Sequence, residues 1–328
     1  MGTLVTIQVV GRADSADRSA ECSQAVDRAF AWFAAVEECC TRFDPRSELM
    51  QLCAQPGKPV PVSPLLFELA QFALAVAQET NGAFDPTVGK TMQERGFNRH
   101  YRTGELLNVS SPTATVTEPV SFCDIRLDVD RRTITLLRPL TLDFGAIAKG
   151  FAVDLAAREL RSFGNFAVNA GGDLYLGGRN QHDQDWSIGI RHPRIDGELI
   201  DSIRLSNRAV CTSGDYERHS PSDPGEHHIL DPSTGASPNE VAGVTVVAST
   251  AVLADALATA AFVLGPSAGI ALFERIGVDG LIITPALNRF ATRGMARDYQ
   301  LGSSAILSHA QGAAHHRPDD SPGVRGAQ

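Results

Sequence analysis

No pair among the six cysteines, Cys22, Cys39, Cys40, Cys53, Cys123 and Cys211, has the C-x-x-C spacing of a zinc site or a dithiol redox motif. They read as reduced core thiols of a cytosolic protein. The chain also lacks any lysine- or arginine-rich run, and its formal net charge is −9. That argues against nucleic acid as the main partner, while an anionic ligand held locally or through a metal stays compatible. The first ten residues have no basic n-region, cleavage site or lipobox cysteine, and alternate as a strand does. The expectation is a cytoplasmic protein. The motifs GxSxG, GxxxxGK[ST] and GxGxxG are missing, and there is no internal repeat. One apolar run, 244–265, approaches membrane length, but it contains Asp255, and a mid-span carboxylate costs about 2.5–3.5 kcal/mol on insertion scales. The run also divides into a β-branched part, 244–248, and an alanine- and leucine-rich part, 252–264. A strand followed by a buried helix is expected there, not a membrane span.

What is present suits a globular enzyme. The 328 residues correspond to about two domains or one large one. A first strand is expected over 3–10. Helical spacing over 16–40 places Ala25, Ala29, Trp32, Phe33 and Val36 on one side. A short helix follows over 47–53. Ser63-Pro64 is an N-cap followed by proline at N1, starting a helix that runs to about Thr80 and ends at Asn81-Gly82. Residues 125–128 and 133–137 read as a hairpin. A strand running from 133 to 142 enters a tight turn, and a helix is read from Phe151 to about Phe163. Further strands are expected over 166–169, 174–176, 186–191, 202–205, 209–213, 244–248, 280–284 and 289–292, with helices over 251–264 and 266–276. Residues 90–120 carry no clear pattern, and from about Ser303 the composition becomes that of a disordered tail. Without a clean βαβ rhythm the class is α+β.

Four stretches stand out chemically. Asp143-Phe-Gly-Ala-Ile-Ala-Lys149-Gly sets a lysine and small residues at a helix entrance, which suits a phosphate-bearing ligand; a structural turn with a surface lysine reads equally. Asp255 and Thr259 are four apart on one helix face, two oxygens among alanines, with room for a hard cation such as Mg²⁺ or for a purely structural role. Asn169-Ala-Gly-Gly-Asp173 and Thr212-Ser-Gly-Asp-Tyr216 are strand ends rich in hydrogen-bonding groups. In His227-His228-Ile-Leu-Asp231-Pro-Ser-Thr-Gly235, His228 can orient or deprotonate a hydroxyl, or serve as a buried hydrogen-bonded histidine; His227 is expected exposed, and Asp231 forms a turn.

With Met1-Gly-Thr, Phe43-Asp-Pro-Arg-Ser47 and Gly82-Ala-Phe-Asp-Pro-Thr-Val-Gly89, these stretches occur in the order typical of the ApbE family, and over about residues 1–295 the chain resembles an FAD:protein FMN transferase. The resemblance implies an α+β, T-fold-related architecture with the FAD site in a cleft between two intertwined subdomains, 1–300, and a tail, 301–328. It implies cleavage of FAD with Mg²⁺, attachment of FMN to a Thr or Ser hydroxyl of an acceptor flavoprotein, and release of AMP. Carried over by motif, Asp255 and Thr259 would give side-chain oxygens to Mg²⁺ and Ala152 a main-chain carbonyl. FAD would lie against Met1, Phe43, Ala83, Phe84, Asp85, Lys149, Leu155 and Ile229, with His228 catalytic. Gly145 and Gly150 would be small to admit the dinucleotide.

The chain departs from the family in three places. Phe43 stands where tyrosine or tryptophan is usual, so a hydrogen bond to the flavin end is missing. No leader precedes the first motif, which points to a cytoplasmic enzyme with a soluble target, or to a start codon upstream of Met1. No acceptor motif is evident, so self-flavinylation is not expected. The alternatives are an Mg²⁺-dependent FAD pyrophosphatase giving FMN and AMP, and a non-catalytic FAD-binding protein.

Overall fold

The computed structural model describes residues 2–11, 16–99, 104, 119–220, 223, 225–299 and 306–307. The N-terminal part alternates short strands with helices: β1 (Val5–Val10), α1 (Ala16–Cys40), α2 (Glu48–Cys53), β2 (Pro59–Pro61), α3 (Pro64–Glu79) and α4 (Gly89–Glu94). The Ser47 and Ser63 hydroxyls cap α2 and α3 by accepting the Met50 and Leu66 N–H groups, and Pro64 occupies the first turn of α3. Asn81 and Gly82, both at positive φ, stop α3. The hairpin β3 (Ile125–Asp128) and β4 (Thr133–Leu136) pairs with β2 in a three-stranded sheet.

The remainder builds the main sheet: α5 (Ala148–Leu160), β5 (Asn165–Ala170), β6 (Asp173–Gly177), β7 (Trp186–Arg191), β8 (Leu199–Leu205), β9 (Arg208–Gly214), β10 (Gly243–Ala248), α6 (Ala251–Ile276), β11 (Asp279–Ile283), β12 (Arg289–Ala291), α7 (Arg293–Asp298) and β13 (Ile306–Leu307). Its order is β1-β5-β6-β9-β10-β11-β12-β13, antiparallel except for the last pair. Helices α5 and α6 cover one face, with α1 packed on α5. The β7–β8 hairpin and Met295 of α7 cover the other, through Trp186, Ile190, Ile203 and Leu205.

This sandwich explains β10. Successive strand residues point to opposite faces; Val244 and Val246 join the helix-side core, and Val247 joins the hairpin-side core. A strand covered on both faces reads as a continuous apolar run. Helix α6 is long and apolar enough to cross a membrane by length and composition alone, but most of it is buried inside the fold. It breaks at Gly265 (φ 79°) before Pro266, as the two expected helices require.

Several expectations are corrected. The strand entering the 143–150 turn ends at Leu136, not 142, and Pro139, with no N–H to give a ladder, lies in the irregular run that follows. The helix after the turn begins at Ala148, three residues before Phe151. Helix α7 was not expected. Of the 301–328 tail, Ile306–Leu307 pairs with β12; the rest, like Met1 and most of 100–118, lies outside the described residues.

Candidate functional site

The site is built where the N-termini of α5 and α6 meet. Asp143 shapes the turn before α5. Its Oδ1 accepts the Gly145 N–H at 2.6 Å and its Oδ2 accepts Arg42 Nε at 2.5 Å. A Cβ on Gly145 would lie 2.8 Å from Asp143 Oδ1. At Gly150 a Cβ would lie 2.4 Å from the Ala251 carbonyl oxygen and 2.8 Å from the Val252 nitrogen. Gly150, which does not line the cavity, is therefore small for a reason within the protein, a backbone-to-backbone helix contact, whereas Gly145 closes a carboxylate-held turn on the cavity wall.

The two helices exchange caps. The Gly150 N–H, in the first turn of α5, donates to Asp255 Oδ2 on α6 at 3.1 Å. Asp154 of α5 returns the arrangement, accepting the Ala251 N–H at 2.8 Å on Oδ1 and the Val252 N–H at 2.9 Å on Oδ2. These satisfy orphan donors that each helix start leaves open. The Phe151 N–H bonds the Ile147 carbonyl at 2.9 Å, and Gly150, just before it, is one of these orphan donors.

Lys149 stands between two carboxylates. Its Nζ donates to Asp173 and lies 3.5 Å from both Asp255 oxygens. Burial alone would lower the Lys149 ammonium, but the charges of Asp173 and Asp255 outweigh it and hold it above its usual value. Burial, and then the Asp173 charge, push the Asp255 carboxyl up. Two buried carboxylates sharing one ammonium are short of positive charge, which a cation would supply. Thr259, one turn along α6, places Oγ1 3.4 Å from Ser213 Oγ at the end of β9. Among the described residues no group of three or more His, Cys, Asp or Glu side chains is arranged around a metal position. The donor set is sparse and made of oxygen, which suits Mg²⁺, a hard ion that keeps water and phosphate ligands, better than zinc.

His228 is half-buried on the same cavity. Its main-chain N–H donates to the Arg218 carbonyl at 3.1 Å, while ring Nδ1 is shielded from solvent without a hydrogen-bond partner. Burial first, then the charges of Arg218, His227 and Lys149, push its pKa down to about 3. The imidazole is neutral at any physiological pH. His227 is not exposed as expected. It sits in a β-bridge with His219, where neighbouring side chains alternate, and turns into the core. Its Nε2 is 2.9 Å from the Pro238 carbonyl, and its ring meets Phe262 edge-on.

A cavity of about 690 Å³ joins these groups, within the range of small-molecule sites. Lys149, Asp255, Thr259 and His228 line it, as do Phe43, Ala83, Phe84, Asp85 and Ile229. Phe43 carries the Arg42 guanidinium 4.4 Å over its ring. Asp85 is held by the Thr87 N–H and hydroxyl, at 2.8 and 2.7 Å, and by the Phe122 N–H at 3.0 Å. Two expected residues are not brought here. Ala152 and Leu155 lie inside α5 and pack into the core, 0% and 7% exposed. The small residues of this stretch on the cavity wall are Gly145, Ala146 and Ala148. Arg42, Asp143 and Arg218 also line the cavity, beyond the residues to which the sequence motifs give a role. Asp143 opens the motif, and an acid two residues before a glycine is a turn signal that could have found it.

A profile of the ApbE family matches residues 1–282. The chain is 32% identical over 323 residues to the FAD:protein FMN transferase of Treponema pallidum, covering 90% of this chain and 85% of that one. It is also 32% identical over 238 residues to the protein of that name from Vibrio cholerae, 69% of each. Among solved structures, the ApbE protein of Thermotoga maritima superposes with a TM-score of 0.76 at 30% identity, covering 90% of this chain and 97% of that chain. The flavin transferase ApbE of Vibrio cholerae gives 0.74 at 27% identity, covering 90% and 96%.

Proposed function

This chain belongs to the ApbE family and is a flavin transferase, and we propose that it splits FAD at the pyrophosphate with Mg²⁺ and passes FMN to a threonine or serine hydroxyl of an acceptor flavoprotein. The observation that carries this reading is the meeting in one cavity of a neutral histidine, His228, with an ammonium, Lys149, and the oxygen pair Asp255–Thr259. Phosphoryl-type transfer needs mostly positioning and charge neutralisation.

Asp255 and Thr259 would hold Mg²⁺ through side-chain oxygens. The main-chain oxygen of the 143–150 stretch is better assigned to Ala146, on the cavity, than to Ala152, which the core encloses. The chemistry such an ion supplies is neutralisation of charge on the diphosphate. Lys149 adds a fixed positive charge on the same side. The ends of FAD would rest against Phe43, the Ala83, Phe84 and Asp85 run, and Ile229. His228, neutral and with Nδ1 unengaged, takes the proton of the acceptor hydroxyl as its oxygen bonds to the FMN phosphorus and the bond to AMP breaks. The nucleophile comes from the partner, so none need be activated among this chain's own residues.

The test is incubation with FAD and Mg²⁺, with and without a threonine-bearing acceptor domain, followed by acceptor mass and AMP assay. An FMN adduct is expected. AMP release without acceptor would mark a pyrophosphatase, and neither product an FAD-binding protein. His228→Ala should abolish transfer and leave FAD binding intact; retained transfer would remove His228 from the mechanism.

A further inference from the structure

We propose that Asp154 is a positioning residue for the metal–diphosphate end of the site, fixing α6, and with it Asp255, against the start of α5 from a place outside the cavity. The inference rests on the metal reading just given. Asp154 is 7% exposed and does not line the cavity.

The arrangement is unlike an ordinary cap. Thr250, the residue at the cap position of α6, has the extended backbone that capping requires (φ −136°, ψ 149°) and a hydroxyl, yet makes no side-chain cap bond. The Ala251 and Val252 N–H groups go instead to both oxygens of a carboxylate from another helix, 97 and 98 residues earlier in the chain. An acceptor spread over two adjacent N–H groups fixes direction as well as distance.

The counterpart bond makes the arrangement closed. Asp255, one turn beyond the capped residues, accepts the Gly150 N–H of α5, one turn before Asp154. The path runs from Gly150 along α5 to Asp154, across to Ala251 and Val252, along α6 to Asp255, and back to Gly150. Where the helices touch, Gly150 has no Cβ to hold them apart. Without Asp154, α6 would be tied to α5 at this end through Asp255 itself, the residue assigned to the cation. Asp154 thus leaves Asp255 free to face a ligand without the helix pair drifting. It also keeps the Asp255 carboxylate in reach of Lys149, 3.5 Å away.

The test compares Asp154→Ala and Asp154→Asn with Thr292→Ala. Thr292 caps α7 by accepting the Met295 N–H and bonds Asp279, on the opposite face of the sheet, so its loss supplies matched destabilisation remote from the cavity. Each protein is assayed well below its melting temperature. The measurements are Mg²⁺ binding by equilibrium dialysis in the presence of FAD, and kcat and KM for FAD cleavage. Asp154→Ala should raise the half-saturating Mg²⁺ concentration about tenfold or more, the usual effect of losing a partner behind a metal ligand, and lower kcat with KM for FAD unchanged. Asp154→Asn, which keeps an acceptor for one N–H, should fall between Asp154→Ala and wild type, and it carries the test if Asp154→Ala does not fold. Thr292→Ala should lose stability with wild-type Mg²⁺ binding. Wild-type Mg²⁺ binding in folded Asp154 variants overturns the proposal while leaving the metal reading intact. Mg²⁺ binding that is absent from the wild-type protein, or untouched by Asp255→Ala, overturns the metal reading and the proposal with it.

Discussion

Gly150→Ala sets two effects of opposite sign against each other. Helix propensity alone favours alanine by about 0.5–1 kcal/mol in a helix interior. The packing opposes it. The new Cβ would meet Ala251 O at 2.4 Å, Ala251 C at 2.6 Å and Val252 N at 2.8 Å. All three are backbone atoms, so no side chain can swing aside. Restoring ordinary contact near 3.5 Å requires the two helix starts to part by about 1 Å. Overpacking of this kind costs about 1–3 kcal/mol, and backbone obstruction places it at the upper end. The net is a loss of about 2 kcal/mol, readable as a fall in the urea midpoint at constant m-value. The same movement stretches the 3.1 Å bond from Gly150 to Asp255, and a misplacement of about 1 Å at a reacting site can cost about 100-fold in rate. Metal-dependent FAD cleavage should therefore fall by one to two orders of magnitude in protein that is still folded. A variant that is more stable by the propensity increment, with unchanged cleavage, would refute the claim that Gly150 is small for the helix contact.

Further outcomes follow from the same geometry. Asp255→Ala should lose metal-dependent turnover yet keep a cooperative urea transition, because burial and the neighbouring Asp173 already disfavour its charge. The His228 imidazole, held at about 3 against an ordinary 6.5, favours the neutral form when folded. Its contribution to stability is then fully present above pH 6.5 and lost as pH falls toward 3, so the difference in urea midpoint between pH 7 and pH 5 should be smaller in His228→Ala than in wild type. By the same shift, His228 should give kcat/KM no acid limb near pH 6.5. Arg289→Ala removes the partner that reaches Asp201 at 2.8 Å in a buried pair joining β12 to β8; it should cost about 3–5 kcal/mol by denaturation, with FAD affinity unchanged because neither residue lines the cavity.

Local punctuation was legible in the sequence. Ser63-Pro64 and Asn81-Gly82 bracket α3, the apolar side of 16–40 matches α1, and Gly265-Pro266 divides α6 where expected. The order of short motifs pointed to the right family. What stayed hidden depends on long-range contact. The reason Gly150 is glycine lies about 100 residues away, at Ala251. Ala146 and Ala152 are the same residue type on one short stretch, and only the direction in which α5 sets off decides which faces the cavity. His227 and His228 are adjacent, so spacing could not say which turns inward; the bridge to His219 does. Helix α7 is as short as α2 but sends one apolar side chain, Met295, into the core where α2 sends Leu49, Met50 and Leu52, so it carries no apolar pattern.

The exchanged caps also bear on how the molecule assembles. Their three bonds join residues 97, 98 and 105 apart in sequence, and between the two helices the chain must lay down β5 through β10. Closing a loop that long forfeits chain entropy that only distant contacts return. The end of the cavity proposed to hold the cation is therefore expected to take shape late in folding, after the sheet has brought the helix starts together. During refolding, recovery of Mg²⁺ binding should lag behind recovery of helical signal.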